Sequence, residues 1–357
     1  MPLIVLVNYH KVQRFFKAQL LLGFFVIWPS CSSPRTLCHF LGETMGTNYS
    51  IKIIGDGFYV DSLYVQRGID SVLTMVNGQM STWDPKSEIS LFNQSKRMEP
   101  IPVSPELFFV VNKALEISKI TEGAFDITLF DLMSLWGFGP KAKNGFPKKE
   151  DIEKVLSYSG WEKIKLKESG IQKLNPALKI DLNSIAKGYG VDQVFNWLQI
   201  QGFKDIFVEI GGEVRCFGRN QKNKLWSIGI ENPNGSRKLN QLYAAVVNAD
   251  GNAIATSGNY RNFVNINGEI LGHTINSKSG YPIKTDVLSV TVLSNSCLKA
   301  DGWATALMAM DYKKGLKTVD DLNEIKAIWI LEYENGSRKI ARSDGVKVED
   351  PLYEIIR

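Results

Sequence analysis

Between Lys204 and Leu293 glycine and asparagine turns cut the chain into short apolar runs, and this spacing restrains the fold more than any other feature. The runs are Ile206 to Ile210, Val214 to Phe217, Trp226 to Ile230, Leu242 to Val247, Ile254 to Thr256 and Val287 to Leu293, which read as strands. The first half reads differently. Tyr49 to Ile53 alternates as a strand, but Val60 to Met80 carries Leu63, Ile69, Val72, Leu73 and Val76 at helical spacing. Ser104-Pro105-Glu106 joins a cap, a first-turn proline and an acid at the positive helix end, and Gly123 supplies the stop. A solvated loop between Pro140 and Lys149 precedes a helix from Glu150 to Tyr158, and a helix from Leu298 to Met310 and a strand from Ala327 to Leu331 close the chain. The order predicts an α+β fold. With 44% hydrophobic residues, no fixed-period repeat and no long linker, residues 43–357 are expected to form a single domain.

The first thirty residues read as an address. Lys11, Arg14 and Lys17 precede the apolar run from Leu20 to Trp28, and Ser30-Cys31 follows, the layout of a lipoprotein-type signal peptide over 1–30 with a tether over 31–42. The expectation is an exported protein, held by a lipid on Cys31 at the inner membrane and facing the periplasm or cell exterior. The run is too short to span a bilayer, which needs about 20 apolar residues. Removing the three leader cations takes the net charge from +5 to +2, and no basic stripe remains for nucleic acid. Four cysteines, Cys31, Cys38, Cys216 and Cys297, offer no CxxC pair and no disulfide framework.

Neither common phosphate cradle is present, so chemistry must be sought elsewhere. Lys179-Ile180-Asp181 reads as a strand end, followed by a helix start through Ser184, Ala186, Lys187 and Gly188. That spacing puts a carboxylate, a hydroxyl and an ammonium on one side, beside helix amides that favour anions. An Asp cap with an exposed Lys fits the same spacing. Asp301 and Thr305 sit four apart on the last long helix and so share a face, as hard oxygen donors suited to magnesium. His273 is the one histidine in the body of the chain and lies before a Gly/Pro turn, a candidate base.

In order, Thr44-Met45-Gly46-Thr47, Met80-Ser81-Thr82-Trp83, Ser87 to Asn93, Gly123-Ala124-Phe125-Asp126, Asp181 to Gly188, Glu209-Ile210-Gly211-Gly212, the His273 segment and Asp301 to Thr305 resemble the ApbE-type family of FAD:protein FMN transferases. The resemblance implies an ApbE-like α+β fold, with mixed, largely antiparallel sheets flanked by helices and a flavin-binding cleft. It implies FAD as substrate, Mg²⁺ at the pyrophosphate, and as partners acceptor flavoprotein subunits of membrane electron-transfer complexes. Flavin contacts fall by motif on Met45, Trp83, Ala124, Phe125, Asp126, Asp181, Lys187 and Ile275, and metal positions on Ser184, Asp301 and Thr305. Lys187 would meet the pyrophosphate oxygens, Asp181 would hold Lys187, flavin or metal, and His273 or Asp301 would take the acceptor's proton. On side-chain type alone, Met45 and Trp83 also read as core. Two further activities share these motifs: a Mg²⁺-dependent FAD pyrophosphatase, and a flavin-binding lipoprotein without turnover. Where the family has Pro and Thr-Gly after the histidine, this chain has Ser277 and Ser279-Gly280, which removes a fixed φ from that loop.

Overall fold

The computed structural model describes residues 35–56, 60–233, 242–249, 251–259, 263–266 and 269–356. The leader and Cys31 lie outside the described residues.

Strand β1 (Arg35–Thr44) turns back into β2 (Thr47–Asp56) through Met45-Gly46, both at positive φ. This is the geometry a two-residue type I′ loop requires. Residues 35–42, expected as tether, are therefore a sheet edge, because β1 pairs with β2 along its whole length. Helix α1 (Ser62–Met80) starts on the Asp61 cap and buries Ile69, Leu73 and Val76 of the expected stripe, but Val65 takes the inward place near its start and Leu63 is exposed. Then come α2 (Glu88–Gln94) and α3 (Pro105–Ile120), the latter capped by Ser104 as expected. Gly123 ends that segment at φ +81°, its N–H donating to Ser118 O at 2.8 Å. Helices α4 (Phe130–Leu135) and α5 (Lys149–Tyr158) and the hairpin β3 (Ile164–Lys167) and β4 (Gly170–Lys173) lead to α6 (Ala186–Ile200).

The predicted strands follow as β5 (Ile206–Ile210), β6 (Glu213–Phe217), β7 (Ser227–Glu231), β8 (Tyr243–Asn248) and β9 (Ala253–Gly258), then an unpredicted hairpin of β10 (Phe263–Ile266) and β11 (Glu269–Gly272), and the predicted β12 (Val287–Ser294). Helix α7 (Cys297–Met308) and strand β13 (Lys326–Glu332) match expectation. They do not close the chain, because α8 (Tyr312–Leu322), β14 (Arg338–Arg342) and β15 (Glu354–Ile356) also form.

Nine strands make one sheet in the order β1-β2-β5-β6-β9-β12-β13-β14-β15, antiparallel except for the β14–β15 pair. On β13 the residues Ala327, Trp329 and Leu331 join the core beneath the helices, whereas Ile328 and Ile330 join a second core under the β7–β8 hairpin. A strand covered on both faces has no polar side, which is why this segment reads as a continuous apolar run. Among the described residues no helix is long and apolar enough to cross a membrane.

Candidate active site

Helices α6 and α7 cross closely, and the glycines explain how. A Cβ on Gly188 would lie 2.3 Å from Cys297 O and 2.7 Å from Asp301 Cβ, so only glycine permits this approach. Asp192 on α6 fixes the register by accepting the Cys297 and Leu298 N–H groups at 2.9 and 3.0 Å, capping α7 with a carboxylate at its positive end. Arg215 pairs with the same carboxylate at 2.7 Å.

This register brings Asp301 against the start of α6. Its Oδ2 accepts the Gly188 N–H at 2.9 Å, and the side chain is buried. One turn on, Thr305 Oγ1 donates towards Ser184 O at 3.5 Å and lies 3.2 Å from Ser257 Oγ. Ser184 O and the Thr305 hydroxyl thus meet at the α6–α7 crossing, one turn along α7 from the buried Asp301 carboxylate. The Ser184 backbone, not its hydroxyl, faces Thr305.

Lys187 departs from expectation. Helix α6 begins at Ala186, so Asp181 and Ser184 precede it, and residues 178–181 join no sheet. The Asp181 carboxylate turns onto Asn183, accepting its N–H at 2.7 Å and its Nδ2 at 3.2 Å. The Lys187 ammonium instead pairs with Glu213 Oε1 at 2.7 Å. Asp181 therefore does not hold Lys187, because the preceding turn aims its carboxylate back at its own backbone. Burial pushes both Asp181 and Asp301 carboxyls above their ordinary range, opposed at Asp301 by Lys187 and the Gly188 N–H. Burial would depress Lys187, but the charges of Asp301 and Glu213 outweigh it and hold the ammonium above its usual range. Burial also raises Glu213, whose Oε2 has no partner among the described residues.

A second group of motif residues lies on loops. Asn93 accepts the Ile180 N–H and donates to Ile180 O, both at 2.8 Å, while the Asp181 N–H donates to Ile127 O at 2.7 Å. These bonds tie Asp181 to the Ala124-Phe125-Asp126 segment. Phe125 is buried, and Ala124 packs at the edge of the core. Asp126 accepts from Thr128 N, Thr128 Oγ1 and Trp161 N at 2.8, 2.7 and 3.0 Å. Burial still pushes its carboxyl up to about 6, against those bonds. Ser277 Oγ donates to Gly123 O at 2.5 Å, docking the His273 loop on the same segment. In this chain a serine hydroxyl thus fastens the loop where the family usually has a proline. His273 is half-buried, its ring edge-on to Phe138 at 6.3 Å, and the Ile275 side chain packs among Leu132, Trp136 and Ile152. Ile275 can therefore meet a ligand only through its backbone.

Trp83 is exposed, whereas Met45 is half-buried and packs at the edge of the main core. Met45 holds φ +50°, a left-handed conformation that costs a long side chain on the order of 1 kcal/mol, and its Sδ lies 3.3 Å from where a Gly190 Cβ would be. Trp83 is 66% exposed on a turn whose Trp83 and Asp84 N–H groups both donate to Ser81 Oγ at 3.3 Å. An exposed tryptophan on a fixed turn suits ligand contact better than packing.

Sequence reasoning missed Glu213. It directly follows the quoted Gly211-Gly212 pair, and a charged residue opening an apolar strand was the available signal. Asn93 was inside a quoted motif without a role, and Trp161 and Ser257 carried no local signal.

The architecture and the oxygen donors at the helix crossing define a sheet-and-helix protein with an anionic, partly loop-built site. The ApbE family model matches residues 45–329, and the chain belongs to the ApbE family. A relative named FAD:protein FMN transferase from Vibrio cholerae is 39% identical over 323 residues, covering 90% of this chain and 96% of the relative. One of the same name from Haemophilus influenzae is 36% identical, covering 86% and 90%. The solved flavin transferase ApbE from Vibrio cholerae superposes with TM-score 0.80 at 39% identity, over 87% of this chain and 98% of that one. The apo flavinyl transferase ApbE of Pseudomonas stutzeri gives 0.78 at 31% identity, over 87% and 95%.

Proposed function

We propose that this chain is a FAD:protein FMN transferase that moves the FMN moiety of FAD onto a Thr or Ser hydroxyl of an acceptor protein. The observation that carries the reading is the meeting of Ser184 O and Thr305 at the α6–α7 crossing, one turn from the buried Asp301 carboxylate, in a chain whose relatives carry that name. The acceptor oxygen attacks the FMN-side phosphorus, the bond to the AMP phosphate breaks, and AMP leaves. His273 accepts the hydroxyl proton as general base, the usual role of a histidine beside a reacting hydroxyl. Lys187, paired with Glu213, lies beside the Asp301 carboxylate. Met45, Trp83 and the 124–126 segment hold the flavin, with the Ile275 backbone and Asp181 beside them.

The residues present fit Mg²⁺. The donors are all hard oxygen, and the buried Asp301 carboxylate makes its one hydrogen bond among the described residues to the Gly188 N–H, leaving oxygen capacity for a cation. Ser184 O, Asp301 and Thr305 would hold the ion, which would neutralise charge developing on the transferred phosphate. The leader and Cys31 support an exported lipoprotein whose acceptors are flavoprotein subunits at the membrane.

Incubating the chain from residue 31 onward, with Cys31→Ser, with FAD, Mg²⁺ and a candidate acceptor tests the reading. Acceptor-dependent AMP release with an FMN-sized mass gain on the acceptor is expected. AMP and free FMN without acceptor would make the chain a pyrophosphatase, and neither product would leave a flavin-binding protein. Asp301→Ala is expected to abolish the magnesium response, and an unchanged response would reject the metal assignment.

A further inference from the structure

From the pairing of Lys187 with Glu213 in preference to Asp301, we propose that Glu213 is a positioning residue that keeps the ammonium off the metal-binding carboxylate. This rests on the reading of Asp301 as a metal ligand given above.

Lys187 precedes Gly188, whose backbone N–H bonds Asp301 Oδ2, so the base of the lysine side chain starts beside that carboxylate. Its long, flexible stem gives the ammonium a choice between two buried acids. An ammonium seated on Asp301 would supply the positive charge that a divalent cation brings, and would compete with it directly. The ammonium instead makes its ion pair with Glu213 Oε1 at 2.7 Å. Glu213 is well placed to hold it. It is 3% exposed, opens β6 opposite Ile210, and follows Gly211 and Gly212 at φ +61° and +103°, a turn that leaves the strand little freedom. With its second oxygen unpartnered among the described residues, the carboxylate has spare acceptor capacity for the ammonium's other protons. The Gly188 N–H is then the one hydrogen bond that the Asp301 carboxylate makes among the described residues.

The test is Mn²⁺ binding to the full mature domain without FAD, read by electron paramagnetic resonance, on wild type, Glu213→Gln, Lys187→Met and the double variant, with thermal melts of each. Glu213→Gln releases Lys187 onto Asp301 and is expected to weaken Mn²⁺ binding by about tenfold. Lys187→Met removes the competitor and should bind Mn²⁺ at least as tightly as wild type. In that background Glu213→Gln should have little further effect, because the competitor is already gone. Equal weakening by Glu213→Gln with and without Lys187, or weaker binding in Lys187→Met alone, would overturn the proposal in favour of a merely structural glutamate. Lys187→Met keeps the proposal open to refutation should Glu213→Gln melt early. Wild-type binding that Asp301→Asn leaves unchanged would overturn the metal site itself, and this inference with it.

Discussion

At the helix crossing, Asp301, Thr305, Lys187 and Glu213 sit on regular elements, and backbones held apart only by a glycine hydrogen fix their positions. On the loop side, Ala124 to Asp126 and the His273 segment depend on single bonds such as Ser277 to Gly123 O and Trp161 N to Asp126. The first region is charged, and its geometry fails only if two helices part. The second is built on loops, anchored by the buried Phe125 and Ile275 side chains and by hydrogen bonds to Asp126 and Gly123, each worth about 1 kcal/mol, so its exposed parts can adjust while its anchors hold. A site that must grip a pyrophosphate and also admit a protein hydroxyl gains from having one side of each kind.

The sharpest challenge to that contrast is His273→Ala. Transfer should fall on the order of 10²- to 10⁴-fold while FAD affinity stays near wild type by fluorescence titration, since a base acts on the proton and not on the bound flavin. Loss of FAD binding would make the histidine part of the loop scaffold. Next comes Gly188→Ala, whose new methyl meets backbone and not a movable side chain. Separating α6 from α7 should cost about 3 kcal/mol, visible as a lower urea midpoint, and metal binding should fall with it. A variant as stable as wild type would mean the crossing is not rigid.

Asp126 gives a pH test of the loop side. Its folded carboxyl keeps its proton up to about pH 6, whereas the unfolded chain loses it near 4, so the native state binds more protons between those values. Stability from this group is therefore present at low pH and lost as pH rises through that window, by up to about 3 kcal/mol. Urea midpoints at pH 4.5 and 6.5 should diverge less in Asp126→Asn than in wild type, and equal divergence would reject the assignment. The smallest effect belongs to Trp83→Ala. An exposed ring contributes little to folding, so the melting temperature should hold while FAD affinity drops roughly three- to tenfold. The reverse pattern would return Trp83 to the core.

The contrast also governs what the sequence made legible. The Ser104 cap, the Gly123 stop and the strands from Ile206 to Ile210 through Val287 to Leu293 are local signals, and these formed near their expected bounds. The seam residues could be named because four-residue spacing on α7 is a property of any helix. The partner of Lys187 could not, because Glu213 arrives from a strand 26 positions later through a turn whose outcome depends on tertiary packing. Asp181 misled for a related reason: an aspartate two residues before an asparagine can satisfy itself locally, and here it does. The tether boundary failed because the edge strand at 35–42 is specified by its partner β2, not by its own weak alternation.

That edge strand has a mechanical consequence. Arg35 opens it and Met45 follows its end, and at about 3.4 Å per residue the two lie roughly 34 Å apart along the strand. A load taken up at the Arg35 end therefore reaches the Met45 turn through a stiff, fully paired strand, not through slack chain.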